Sequence, residues 1–400
     1  MKAVGIIAEY NPLHYGHIHH IEEAVRLAGS EAVVVAMSGN YVQRGEPAIL
    51  DKWERAALAL SHGADVVLEI PTIFCLGNAG QYGTAGAKML EAMASVTHIA
   101  FGSEAGDAEA LIRIANNLDA ESDRIERSVS QLVKSGYSYP RARAVAYSEI
   151  FDEDIRGRAI LENSNDILAI EYIRACNRLE PVVIKRVGAD YRDAIDEGCE
   201  FQSAGGIRQA IRNNADIGEY VPLDVKAAIE QAKYDGTLTN PDKWMQTLKY
   251  AVMSMSAEEI DACPSGGEGL GNRIKNLIAG AENWDDFVEA VKTKRYTHTR
   301  ISRLCMQIIL GIDRDVYDAE EPQYLRILGL TKKGRELISE MEHDDGIPFI
   351  TNINKQAELL NEEGKKQLEL DIHAADIYNL VSGQDQNSRS DYRMRPIIAE

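Results

Sequence analysis

The sequence predicts an α/β protein: a parallel sheet with helices on both faces, followed by a mainly α-helical C-terminal region. Three observations carry that prediction. Short apolar runs alternate with amphipathic stretches through the first hundred residues, the pattern of strands joined by crossover helices. The apolar run from Ala3 stops at Asn11-Pro12 inside the segment IIAEYNPLHYGHIHHIEE (residues 6–23), and helix-compatible residues follow Gly16. Beyond Tyr220 the strand signals fade, and breaks at Pro222 and Asn240-Pro241 introduce new helices.

In chain order, further buried strands are expected over residues 32–37, 65–70 and 97–101, with helices near 51–61 and 83–94. Ligands of such a sheet lie beyond the carboxyl ends of its strands. Those ends carry residues 11–17, then Ser38-Gly39, Glu69-Ile70-Pro71, and Gly102-Ser103-Glu104. The polar loop MSGNYVQRGEPA (37–48) reads as a substrate-side lid or a surface excursion. Glu69 either holds a substrate group or metal-bound water, or simply ends a strand. Residues 109–151 are helical and charged, an insertion or connection rather than a site. Asn165 or Asp166 starts a helix in NSNDILAIEYIRACN, and a strand over 182–187 carries Lys185 and Arg186 and ends at Gly188. A small-residue turn in FQSAGGIRQAIRN opens a helix with Ser203 at its start and Arg208 in its first turns.

Four hundred residues exceed one ordinary core. The expected division places residues 1–215 in the sheet domain, with a helical insertion about 107–160, and 216–400 in the helical one. No apolar run approaches the roughly 20 residues that cross a bilayer, and no signal peptide is evident, so a cytoplasmic protein without a membrane partner is expected. Five cysteines stand without a C-x-x-C pair, against a disulfide framework or a zinc site. The net charge of −20, from 43 basic and 63 acidic residues, disfavours sequence-blind attraction to DNA or RNA. Any nucleic-acid contact must be local. The segment KTKRYTHTRISR meets that condition: Lys292, Lys294, Arg295, Arg300 and Arg303 occur without an acid, beside Tyr296 and His298, which are able to stack on bases. An acidic partner within the chain is the plainer explanation. Lys332, Lys333 and Arg335 lie near a turn, residues 367–382 turn helical, and the polar tail after Gln384 is expected to be poorly ordered.

A strand-to-helix junction is a natural anion site, because unpaired N–H groups and the positive end of the helix dipole meet there. His14 and His17 would add two donors, Gly16 would allow close backbone approach, and His19 and His20 lie further into the helix. As bare chemistry the pair could equally ligate a metal or face solvent.

Strand, Asn-Pro, His-x-Gly-His and helix together resemble the nucleotidylyl-transferase superfamily, whose motif holds ATP phosphates in a Rossmann-like fold. The ordered set VGIIAEYNPLHYGH, MSGNYVQRGEPA, Gly102-Ser103-Glu104, NDILAIEY, IKRVGADY, KTKRYTHTRISR, LGLTKKGREL and LDIHAADIYNLV resembles, over nearly the whole chain, the bacterial tRNA(Met) cytidine acetate ligases. That resemblance implies activation of acetate by ATP to acetyl-adenylate, and transfer of the acetyl group to N4 of the wobble cytidine, position 34, of elongator tRNA(Met). It implies catalytic roles for His14 and His17, and ATP binding by Ile7, Ala8, Glu9, Tyr10, Asn11, Pro12, Leu13, His14, Tyr15, Gly16, His17, Ile18, His19, His20, Gly102, Asn165, Lys185 and Arg186. Ser203 and Arg208 fit the superfamily's Ser-x-x-x-Ile-Arg pattern for the β- and γ-phosphates, whereas Gly205 departs from it. Mg2+ is expected with ATP, its shell supplied by nucleotide oxygens and water. The basic segment is the expected tRNA contact. Two other readings stand beside this one: an adenylyltransferase acting on a phosphorylated cofactor precursor, and a non-catalytic nucleotide-dependent RNA-binding protein.

Overall fold

The strands of the central sheet form where β-branched and aliphatic residues run uninterrupted, as befits a sheet covered on both faces. In the computed structural model, which describes residues 1–152, 154–187, 201–267, 269–312, 314–340 and 346–399, these are β1 (Ala3–Ala8), β2 (Ala32–Ser38), β5 (Val66–Ile70), β6 (Val96–Ser103) and β7 (Glu180–Lys185). Between β2 and β5 the short pair β3 (Tyr41–Val42) and β4 (Glu46–Pro47) forms an antiparallel hairpin. Later in the chain come β8 (Leu325–Leu330), β9 (Phe349–Ile350) and β10 (Ile397–Ile398). The sheet order is β10-β8-β5-β2-β1-β6-β7, with β9 beside β8. Every pairing in this sheet is parallel except that of β8 with β5. The predicted α/β class holds, and the sheet is mixed rather than wholly parallel.

Helix α1 (Tyr15–Ala28) follows β1, and α2 (Lys52–Ser61), capped by the Asp51 side chain on the N–H of Glu54, follows the hairpin. The helix expected over 83–94 spans Ala79–Ala92, because a capping box between Asn78 and Gln81 starts it earlier. Three helices fill the charged stretch after β6, at Ala108–Ala120, Ser122–Lys134 and Tyr139–Ile150. The helix Ser164–Ala175 begins at Asn163, ahead of the expected Asn165 or Asp166. Two apolar clusters cover the two faces of the sheet, one continuing into the C-terminal helices through Trp244, Trp284 and Leu304. Among the described residues no helix is long and apolar enough to cross a membrane.

Two expectations are corrected. The stretch LRILGL, read only as the approach to a turn, is the fully buried strand β8, so residues 325–330 and 397–398 return to the sheet begun by residues 3–8. The tail is not loose: Asp391 is buried, accepting from Lys52 Nζ and Arg326 Nη1, each at 2.7 Å. Lys52 also donates to both oxygens of Glu69, at 2.7 and 2.9 Å. Glu69 therefore belongs to a buried ion cluster and does not line the cavity described below.

Candidate active site

Where β1 ends, Tyr10 adopts φ 46° and the Asn11-Pro12 peptide is cis. A left-handed tyrosine is costly for an L residue and is held only by its surroundings. Arg55 of α2 supplies much of that restraint. Its guanidinium donates to the carbonyls of Glu9 (2.6 Å), Ser38 (3.1 Å) and Gly39, while Nε donates to Leu50 O at 3.1 Å. One fully buried cation thus ties the ends of β1 and β2 together. Asn11 Oδ1 accepts from the N–H of Ile49 at 2.9 Å, and Arg208 Nη1 donates to Asn11 O at 2.8 Å.

His14 is the N-cap of α1. Its Nδ1 accepts from Gly16 N at 3.1 Å, which puts the ring proton of the neutral imidazole on Nε2. The His14 and His17 rings stack with centroids 3.8 Å apart, and Tyr10 meets His17 edge-on at 5.1 Å. Both rings line one cavity at the carboxyl ends of the strands. Burial, reinforced by Arg186 and Arg208, lowers the His14 pKa to about 3. Burial, with His14 and His20 adding to it, holds His17 well below the usual imidazole range. Burial takes His20 down to about 4. Near pH 7 the site is therefore a set of neutral imidazole donors.

The cavity is also lined by Ile7, Ala8, Glu9, Tyr10, Asn11, Gly16, His19, Gly102, Asn165, Lys185, Arg186 and Ser203, all expected at the site. Pro12, Leu13, Tyr15 and Ile18 are not among its lining residues. Leu13 is buried in the core and Ile18 packs against the same cluster, while Tyr15 is exposed and donates its N–H to Tyr220 O. Arg208 lies just behind the wall, bonded to Asn11 and 3.7 Å from Glu46. Ser203 caps its helix by accepting from Gly206 N at 3.1 Å. Asn165 donates to Glu104, and Glu104 in turn accepts the N–H groups of Asn165 and Asp166, closing the start of that helix. A Cβ on Gly102 would lie 3.2 Å from Arg186 Cγ, so the glycine leaves room for that side chain over the strand end.

Sequence reasoning missed the aromatic wall. Tyr82, Phe101, Tyr172 and Phe201 line the cavity, with Phe101 tilted against Tyr172 and Phe201 stacked on His19 at 5.2 Å. Gln43 and Arg44 come from the β3–β4 hairpin. That loop is a packed hairpin beside the cavity, and a Cβ on Gly45 would collide with the backbone of Ser302 and Arg303. Gly188, the expected end of the Lys185–Arg186 strand, and Cys199 lie outside the described residues. Among the described residues no group of three or more His, Cys, Asp or Glu could hold a metal ion, so the side chains present do not themselves fit a magnesium cage.

The basic segment lies elsewhere and is largely engaged. Lys292 pairs with Glu289 at 3.0 Å, and Arg295 donates to Val133 O. Arg300 donates to the carbonyls of Ser265 and Gly266 and stacks over Tyr296 at 4.9 Å. Tyr296 is buried, which removes it as a base-stacking platform. Arg303 donates to Gln43 O at 3.3 Å, and burial lowers its pKa to about 10. Lys292 and Lys294 are exposed.

The chain matches the HIGH Nucleotidyl Transferase family over residues 1–393. It is 36% identical to the tRNA(Met) cytidine acetate ligase of Fervidobacterium nodosum over 95% of each chain, and 34% identical to that of Caldanaerobacter subterraneus subsp. tengcongensis over the full length of both. Among solved structures it superposes on apo Thermotoga maritima TmcAL with a TM-score of 0.92, and on the same protein bound with alpha-thio ATP at 0.89, in each case at 32% identity over 100% of this chain and 99% of the other. The fold, the paired histidines in the strand-to-helix turn and these full-length likenesses lead to one conclusion: the chain belongs to the tRNA(Met) cytidine acetate ligase family of HIGH nucleotidyl transferases, and is a ligase.

Proposed function

We propose that this protein activates acetate with ATP, releasing pyrophosphate and forming acetyl-adenylate, and then acetylates N4 of the wobble cytidine, position 34, of elongator tRNA(Met). The observation that carries the reading is the stacked His14–His17 pair, neutral and lining a cavity, in a chain that superposes on a relative bound with alpha-thio ATP. Attack of an acetate oxygen on the α-phosphorus builds charge on the phosphate oxygens. The His14 Nε2–H, held in that tautomer by Gly16, is a preorganised donor for it. Lys185 and Arg186 at the rim, with the start of the helix Ala204–Arg212, suit the remaining phosphates. Magnesium would enter with the nucleotide, neutralising its phosphates, with ATP oxygens and water as most of its shell.

We assign nucleotide chemistry to residues 1–215 and tRNA contact to 216–400. A protein acting on tRNA would work in the cytoplasm. The decisive experiment supplies ATP, labelled acetate and unmodified tRNA(Met), then digests the RNA. N4-acetylcytidine at position 34 supports the reading, and its absence, with pyrophosphate released by a phosphorylated cofactor precursor instead, would favour the adenylyltransferase. Nucleotide binding without acetate-dependent pyrophosphate release would favour the non-catalytic RNA-binding protein.

Two predictions test the parts. A Cβ on Gly16 would lie 2.9 Å from His14 Cε1 and 3.4 Å from Phe201 Cβ. Gly16→Ala should displace the His14 ring and weaken ATP binding about tenfold, roughly 1.4 kcal/mol, as read by calorimetry. In the basic segment, the side chains of Lys292, paired with Glu289, and Lys294 make no bond to the backbone of the described residues and are exposed. Replacing both with alanine should weaken tRNA binding and lower the slope of log affinity against log salt by about one for each phosphate no longer engaged. Replacing Arg300, which holds the Ser265–Gly266 turn, should lower the melting temperature instead.

A further inference from the structure

We infer that Glu9 is the base that accepts the proton of the cytidine amine as its nitrogen attacks the activated acetyl group. The inference rests on the acetyl transfer proposed above. Glu9 follows the last residue of β1 and lines the same cavity as His14 and His17. Its Oε1 accepts the N–H of Gln43 at 3.0 Å, while the carbonyl of that residue accepts from Arg303 at 3.3 Å. The carboxylate is thus held by the hairpin, and the hairpin by the helix His298–Leu310.

Glu9, His14 and His17 line one cavity, and Arg208, bonded to Asn11 O just behind its wall, lowers the pKa of both Glu9 and His14. ATP and acetate are both anions, and a carboxylate in the wall opposes each of them. It is complementary to a group that brings N–H donors into the cavity. The cytosine exocyclic amine is such a group, and a carboxylate is its usual acceptor.

Three other titratable groups in the wall are poorly suited. His14 already accepts from Gly16 through Nδ1, and burial holds Tyr82 and Tyr172 in their protonated forms. Burial raises the Glu9 pKa, against the lowering by Arg44, Arg208 and the Gln43 N–H and with a small push from Glu46. That moves the carboxylate toward the range in which a base works near neutrality.

In the step, the N4 lone pair forms a bond to the acetyl carbonyl carbon, and the bond from that carbon to the phosphate oxygen breaks. AMP leaves with the electron pair. The surplus proton on N4 passes to the Glu9 carboxylate and from the resulting acid to solvent.

The test separates the two half-reactions. Full-length wild type, Glu9→Gln and Glu9→Asp are each assayed for acetate-dependent ATP–pyrophosphate exchange without tRNA, and for single-turnover transfer from synthetic acetyl-adenylate to tRNA(Met). For Glu9→Gln, transfer should fall by about 100-fold or more, far beyond any fall in exchange, and the rise of the transfer rate with pH should vanish. Glu9→Asp should keep the pH rise at a reduced rate, and it decides the matter should the glutamine variant not fold. Transfer by Glu9→Gln within about threefold of wild type, a transfer rate in Glu9→Asp that no longer rises with pH, or equal loss of both half-reactions, overturns the assignment. Failure of wild type to exchange pyrophosphate with acetate would instead overturn the reading of acetate activation, leaving transfer from the synthetic anhydride to judge Glu9 by itself.

Discussion

Replacing His17 by alanine lowers acetate-dependent ATP–pyrophosphate exchange by about 10²–10³-fold, the usual loss when one preorganised donor to a developing oxyanion is removed. The ring stacks on His14, meets Tyr10 edge-on and, among the described residues, has no hydrogen-bond partner for its buried Nδ1. A purely structural histidine would be expected to have that atom satisfied. The melting temperature should move little by comparison, so the ratio of activity loss to stability loss is the readout. A pH signature accompanies it. Burial lowers His14 to about 3 and His17 well below its ordinary value, so both rings are neutral near pH 7. An incoming phosphate favours the charged rings and raises those values, so ATP binding should take up protons as the pH is lowered. Calorimetry in buffers of different ionisation enthalpy detects that uptake.

The same shifts govern folding. In the unfolded chain these histidines titrate near 6.5; the folded values lie lower. Below that pH the unfolded state binds more protons, and stability is lost progressively as the pH falls through about 6.5. Denaturation midpoints should therefore drop from pH 7 to pH 5, less steeply in the His17→Ala variant.

The second large effect is on stability. Asp391→Asn leaves Lys52 and Arg326, both buried, facing Glu69 as their remaining close carboxylate partner. Burial works against the charge of Asp391, yet Arg326 and Lys52 hold its pKa below the usual range. Breaking one member of such a buried set costs about 3–5 kcal/mol, readable in a urea titration. The adjoining Asp371, which accepts from Thr72 N and Tyr324 Oη, is raised by burial and by Glu69 to about 7. It is poorly placed to take over as the counterion. Replacing Lys52 with methionine together with Asp391→Asn should cost less than the sum of the single changes, because the pair leaves together.

Local signals made much of this legible in the sequence. The apolar runs of β1, β2, β5 and β6 showed the sheet, and His-x-Gly-His after an Asn-Pro break marked the turn whose rings line the cavity. What stayed hidden depends on contacts distant in sequence. LRILGL is five apolar or small residues and one arginine, and a short buried strand of that kind has no distinctive period. Its Arg326 is explained only by Asp391 and Glu69. Tyr82 and Tyr172 sit on helices whose patterns announce burial, not which face meets a cavity. The engagement of the basic segment was hidden because a cation can spend its charge on main-chain carbonyls, as Arg295 and Arg300 do, and composition counts only acids as partners. Arg55 was invisible for the same reason.

The place of β8 bears on how the chain is made. Until residues 325–330 have emerged from the ribosome, β5 is an outermost ribbon, VVLEI, whose backbone groups on one side have no neighbour from this chain. A stalled or truncated product ending before that point would offer the ribbon to other nascent chains. Chaperone occupancy during synthesis should therefore persist until the last quarter of translation.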